Sequence, residues 1–204
     1  MTFNKKIPGL NDFLGYVYDL RWYVLVIVTI FAVFAAIGYT VAVMSPSYTD
    51  QTINEVKDQV GPLKETSALG LMLGIFENNV IKCLLVVVLG LAVGIAPLLF
   101  AVANGVVIGI VVGATIGKTG LLYVLVGILP HGIIEMPMVF ISAAIGLKLG
   151  SDVLRALIRR EAPIWKDIKE GLLIFVFWVA PLLLVAAFME TFVTGTLLYL
   201  LFAH

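Results

Sequence analysis

The chain has 204 residues, 61% of them hydrophobic and only 13% charged, against roughly 45–50% and 25% in soluble domains. That surplus of apolar side chains excludes a water-soluble globule and makes the lipid bilayer the solvent. Thirteen basic and thirteen acidic residues cancel, which removes the electrostatic case for nucleic acid, and the single Cys83 excludes an intrachain disulfide or a cysteine-built metal site.

The first 21 residues are polar, and Asn11-Asp12-Phe13-Leu14 can start a short interfacial helix. The apolar run 22–44 is 23 residues long, beyond the roughly 7–15 of a cleavable signal core, and reads as a retained first span. Ser45-Pro46-Ser47 ends it, and 48–66, broken by Gly61-Pro62, reads as a solvated loop. Residues 67–76 are apolar but too few to cross, which suits an interfacial or re-entrant piece punctuated by Glu77-Asn78-Asn79. A second span is expected over 80–103, kinked at Pro97, whose missing N–H frees the carbonyl of Val93.

Asn104 is expected to cap a short third span, 104–117, of about 21 Å. Lys118-Thr119-Gly120 is a polar turn, and the fourth span, 121–149, is expected to be interrupted at Pro130-His131-Gly132 and at Pro137. Residues 151–170 form the strongly charged stretch, and 172–202 is the last span, long enough to tilt or to kink at Pro181. The expected architecture is all-α: one polytopic membrane domain, 1–204, of about five helices with broken spans and a short interfacial helix.

Charge placement orients these crossings. Lys5, Lys6, Arg21, Lys148, Arg155, Arg159, Arg160, Lys166 and Lys169 fall on one side, and Lys57, Lys64, Lys82 and Lys118 on the other. Nine against four puts the N-terminus in the cytoplasm and the C-terminus outside, in the cell membrane. Were 104–130 a re-entrant hairpin, the basic stretch 148–170 would land outside, so a true crossing is the better reading.

Gly105, Gly109, Gly113 and Gly117 recur every fourth residue, as do Gly70/Gly74, Gly90/Gly94 and Gly146/Gly150. A bare backbone stripe lets a second helix approach closely, which drives association in lipid. The four-glycine helix is expected at the bundle centre, against the fourth span or a second copy of the chain, in a homodimer or higher homo-oligomer.

Ionisable groups in the bilayer are expensive, about 2.5–3.5 kcal/mol for a central carboxylate on insertion scales, and mark functional candidates. His131 and Glu135 are one turn apart on the same face of the fourth span. They can hydrogen-bond each other structurally, hold two ligands of a divalent metal ion, or pass a proton. Glu190, deep in the last span, is assigned to the same interior cluster, followed by Thr191, Thr194 and Thr196, whose hydroxyls can bond their own helix. Asn104 is a ligand candidate competing with a helix cap, and Glu77, Asn78 and Asn79 suit a helix start, where the dipole favours the acid. The chain has no HExxH, GxSxG, Walker loop or GxGxxG, so hydrolase, ATPase and dinucleotide chemistry lack their parts and no catalytic residue is assigned.

Glu77-Asn78-Asn79, then Asn104-Gly105, then Pro130-His131-Gly132-Ile133-Ile134-Glu135 resemble the stage II sporulation protein M (SpoIIM) family over roughly residues 65–200. The resemblance implies a five-span protein with its N-terminus inside and a family-type polar set of Glu77, Asn78, Asn79, Asn104, His131 and Glu135. It implies a non-enzymatic membrane scaffold: the namesake is a membrane partner of peptidoglycan-degrading enzymes during spore engulfment. The engulfment role itself does not transfer, because the loop at 45–66 offers little surface for a wall hydrolase. The first expectation is therefore a homo-oligomeric scaffold or complex subunit, with other membrane or envelope proteins as partners. The second is a transporter or channel for a cation, proton or small solute using His131 and Glu135, and the third an intramembrane metal-dependent enzyme.

Overall fold

The computed structural model describes residues 7–45, 67–158 and 163–202. Among them the chain is almost entirely helical, and five helices are long and apolar enough to cross a membrane. A short helix, α1 (Leu10–Asp19), precedes them, followed by α2 (Arg21–Met44), α3 (Ala68–Leu89), α4 (Ile95–Thr119), α5 (Leu121–Leu157) and α6 (Ile164–Phe202). The loop expected at 48–66 lies outside the described residues.

α1 starts where the Asp12 carboxylate accepts the Gly9 N–H at 2.9 Å. It docks at one end of the bundle, where the Phe13 ring stacks on Trp178 at 4.9 Å and the Trp178 indole N–H donates to the Pro8 carbonyl at 3.0 Å. Phe13, Tyr16 and Leu20 complete a core with Cys83, Val87, Met138, Ile141, Ile145, Leu149, Ile174 and Val179. The short helix foreseen near Asn11 is thus a packed element.

The second and third spans differ from expectation. The run starting at Ser67 continues unbroken through Glu77-Asn78-Asn79 as α3, its first turn held by the Ser67 hydroxyl accepting from Gly70 N–H at 3.2 Å. The chain then reverses at 90–94, with Val93 at φ 50° and Gly94 at φ 77°, left-handed conformations that end a helix abruptly. Pro97 follows in the first turn of α4, where its missing N–H costs nothing, so it starts a helix and kinks none. The expected spans 80–103 and 104–117 are replaced by 68–89 and 95–119. Asn104 caps nothing: it sits mid-helix and donates to the Phe100 carbonyl at 2.8 Å.

The fourth span is not interrupted either. α5 runs for 37 residues through Pro130 and Pro137, about 55 Å at 1.5 Å per residue. α6 begins before residue 172 and contains two π-helical turns, Phe175–Val179 and Met189–Thr194. The first ends with the Ala180 N–H reaching back five residues to Phe175. That wide turn immediately precedes Pro181, whose missing donor it accommodates where a kink was expected.

The small face of the glycine helix packs along α2, where the fourth span or a second copy was expected. A Cβ placed on Gly109 would overlap the Ala35 carbonyl oxygen, one on Gly105 would lie 2.5 Å from that of Phe31, and one on Gly113 would lie 2.8 Å from the Ala42 Cβ. Sequence numbers rise together along this seam, so α2 and α4 run parallel. Gly90 and Gly150 bring the ends of α3 and α5 together in the same backbone-to-backbone manner. Gly117 meets nothing within 4 Å and belongs to no seam.

In the strongly charged stretch the described residues are helical over 151–157 and 164–170 and partly buried. Asp152, Asp167 and Glu170 are only 1%, 6% and 6% exposed, and Lys148 Nζ lies 2.6 Å from an Asp167 oxygen. Arg155 reaches Asp152 at 3.4 Å and the Tyr23 hydroxyl at 3.4 Å. Beside them the Tyr16 phenol is held protonated well above its usual range, first by burial and then by the charges of Asp167, Glu170 and Asp152. It therefore serves this acidic neighbourhood as a neutral group.

Candidate intramembrane cation site

Three side chains separated by up to 59 residues of sequence converge between α5 and α6. His131 and Glu135 project one turn apart from α5, and Glu190 faces them from α6; one ligand-capable atom of each lies within 4.8 Å of the other two. All three are half-buried. The ends of α5 and α6 are held in register by the Tyr123–Phe202 ring contact at 5.0 Å. Two carboxylates at this spacing repel by about 3–4 kcal/mol at an effective dielectric near 20, and a cation between them reverses the sign of that term.

The hydrogen bond of His131 does not go to Glu135. Its Nδ1 lies 3.3 Å from Thr194 Oγ1, which orients the ring and leaves Nε2 as the other ring nitrogen for a ligand. Thr194 thus serves α5, whereas Thr196 bonds its own helix at Phe192, 2.7 Å away. Glu190, Thr191 and Thr194 all fall in the π-helical turn Met189–Thr194, a wide turn of the kind that recurs at functional sites. The Thr191 hydroxyl is buried there without a hydrogen-bond partner.

α3 supplies a third wall. Asn79 and Lys82 are the α3 groups that act on the Glu135 carboxylate. Both lie mid-helix in α3, so Glu77, Asn78 and Asn79 do not begin a span. Asn79 reaches the cluster, Asn78 donates to Asn79 at 3.3 Å, and Glu77 points outward, exposed. Asn104 spends its amide on α4. Sequence reading missed Lys82 and the inter-helix role of Thr194; the signal for both was the i, i+4 offset, from Asn78 to Lys82 and from Glu190 to Thr194.

The donor set suits a borderline divalent cation. One imidazole and two carboxylates are ligands shared by Zn²⁺, Mn²⁺ and Fe²⁺. Tetrahedral Zn²⁺ at about 2.0–2.2 Å from each ligand spaces the ligand atoms by about 3.3 Å, so a contraction of at most about 1.5 Å completes three positions and leaves the fourth open.

Comparison with protein families matches residues 26–195 to SpoIIM, stage II sporulation protein M. The chain belongs to that family. The matched region of this SpoIIM family member runs from within α2 to the start of the last helical segment of α6, so it contains every residue of the cluster and the glycine seam. No curated protein and no solved structure matches the chain.

Proposed function

We propose that this SpoIIM family protein is a multi-pass protein of the cell membrane that binds a divalent cation in mid-span and passes it across as a transporter or channel. One observation carries the reading: His131, Glu135 and Glu190 gather within 4.8 Å from two different helices, at a depth where unpaired ionisable groups are costly. The depth is set by the helices. His131 is about 15 Å along α5 from Leu121, and Glu190 about 18 Å from Phe202. Prolines that free the carbonyls of Val126 and Ile133 on α5, and a wide turn on α6, supply the irregular backbone found around midplane ion sites.

The orientation proposed is N-terminus in the cytoplasm and C-terminus outside. With Lys82 in the middle of α3 and not near the start of a span, the basic asymmetry becomes nine against three, which strengthens the case. The scaffold reading predicts something different: the cluster serves cohesion alone, and metal is irrelevant to it.

The test is metal content and Zn²⁺ and Mn²⁺ titration of the purified protein, with flux measured in proteoliposomes. Wild type should hold about one ion per chain, and Glu135→Gln and Glu190→Gln should each lower affinity at least about tenfold while keeping the fold, because the amide retains hydrogen-bonding capacity. Glu77→Gln is the control outside the cluster. Unchanged metal content and flux in Glu135→Gln and Glu190→Gln would leave the cluster structural and favour the scaffold.

A further inference from the structure

The outward face of α3 carries groups that lipid does not accept. Glu77, Asn78 and Lys82 are all exposed, yet Glu77 is about 13 Å along the helix from Ala68, and Lys82 about 10 Å from Leu89. Neither end is within reach of the short Glu77 side chain, so it cannot snorkel to the interface as a long lysine can near a helix end. Among the described residues Glu77 makes no ion pair, and Asn78 bonds only its neighbour Asn79. A charged group facing hydrocarbon at such depth costs about 2.5–3.5 kcal/mol. Protein must cover this face.

We infer that two copies of this chain pair through α3, with Asn78 near the centre of the interface and Glu77 and Lys82 on its two flanks. The face is self-complementary. It carries an acid, a base and an amide that both donates and accepts, which is what a two-fold interface needs when the same patch serves both partners. About an axis along the membrane normal, groups of equal depth meet, so the two Asn78 amides face each other. Glu77 and Lys82 differ in depth by about 7.5 Å, a step that the four-carbon lysine stem spans toward the partner's acid.

Gly70, Gly74, Asn78 and Lys82 form one row of fourfold spacing on α3. A small-residue pair one and two turns before the amide lets the two helices close on each other in the right-handed crossing of such rows. The exposed large apolar residues of α3, Leu69, Leu73, Ile81, Leu84, Leu85, Val88 and Leu89, are at home either in lipid or in a partner. Glu77 and Asn78 lie outside the cation cluster, so their part in the pairing fails or holds separately from cation binding; Lys82, exposed on the outer side, also acts on Glu135.

The test is disulfide capture of the full-length protein in proteoliposomes. Asn78→Cys should cross-link on mild oxidation, whereas wild type, with only the buried Cys83, and Ile133→Cys, exposed at 68% on α5, should not. Mass measurement in lipid nanodiscs should give a dimer for wild type. Glu77→Lys and Lys82→Glu should each lower the dimer fraction, with a dissociation constant raised about tenfold or more, and the double exchange should restore it. Capture of Asn78→Cys no better than of Ile133→Cys, a monomeric mass for wild type, or failure of the folded double exchange to recover would each overturn the proposal. Cross-linking of Asn78→Cys to a different protein in cell membranes, with none between copies, would do the same.

Discussion

A methyl group added to Gly109 tests the α2–α4 seam directly. Its carbon would overlap the Ala35 carbonyl oxygen and lie 2.7 Å from Tyr39 N and 2.8 Å from Ala35 C. All three are α2 backbone atoms, so no rotamer change relieves the clash and α2 must retreat by roughly 1 Å, an overpacking that typically costs about 1–3 kcal/mol. Gly113→Ala meets a side-chain methyl at 2.8 Å and should cost less. Gly117→Ala meets nothing within 4 Å and should be neutral or gain up to about 1 kcal/mol from helix propensity. Thermal melting in detergent should therefore rank Gly117→Ala at or above wild type, then Gly113→Ala, then Gly109→Ala. At about 2–4 °C per kcal/mol for a chain of this size, the last should melt roughly 2–12 °C below wild type. Gly109→Leu and Gly113→Leu should fall further than Val112→Leu. Equal melting of Gly109→Ala and Gly117→Ala would refute the close backbone approach.

Because protons compete for imidazole and carboxylate ligands, cation affinity of the wild-type site should fall as pH drops from about 7.5 to about 5.5, and a calorimetric titration in two buffers should show proton release on binding. Lys148→Met strips the buried Asp167 of its counter-ion and should cost about 2–4 kcal/mol, discounted for the partly exposed lysine, with Lys148→Met/Asp167→Asn recovering most of it in melting experiments. A cysteine replacing Leu157, 68% exposed at the end of α5, should resist impermeant thiol reagents in intact cells, whereas one appended after His204 should react; the reverse pattern would invert the topology.

Five crossings were legible because hydropathy survives local error in where a span begins. The boundary between the second and third was not. Glu77-Asn78-Asn79 reads as punctuation because polar runs ordinarily mark helix ends, and α3 carries it in mid-span by turning Asn79 inward toward Glu135. The true reversal at 90–94 consists of Gly90, Leu91, Ala92, Val93 and Gly94, with no polar residue to announce it; only the backbone angles of Val93 and Gly94 mark the place. The pairing of His131 with Glu135 was visible as a helical spacing, and the placing of Glu190 beside them follows from the cost of a lone carboxylate in lipid. That His131 bonds Thr194 instead of Glu135 depends on the rotation of α6, which its π turns set. The partner of the glycine stripe was hidden for a related reason. Ala35, Gly38 and Ala42 make a small-residue row on α2, but pattern alone does not say which two rows meet.

The two wide turns of α6 give the bundle an uneven stiffness. Along α2 and α4, backbone lies on backbone over three successive helical turns, so neither helix can bow without separating from the other. In α6 the hydrogen-bond ladder already switches partners at 175–179 and again at 189–194, and a helix bends most readily where its ladder is already irregular. The α2–α4 pair is then the fixed frame, and α6, which carries Glu190, is the arm that can swing against it. Amide hydrogen exchange should register this as faster opening at 175–194 than at 101–114.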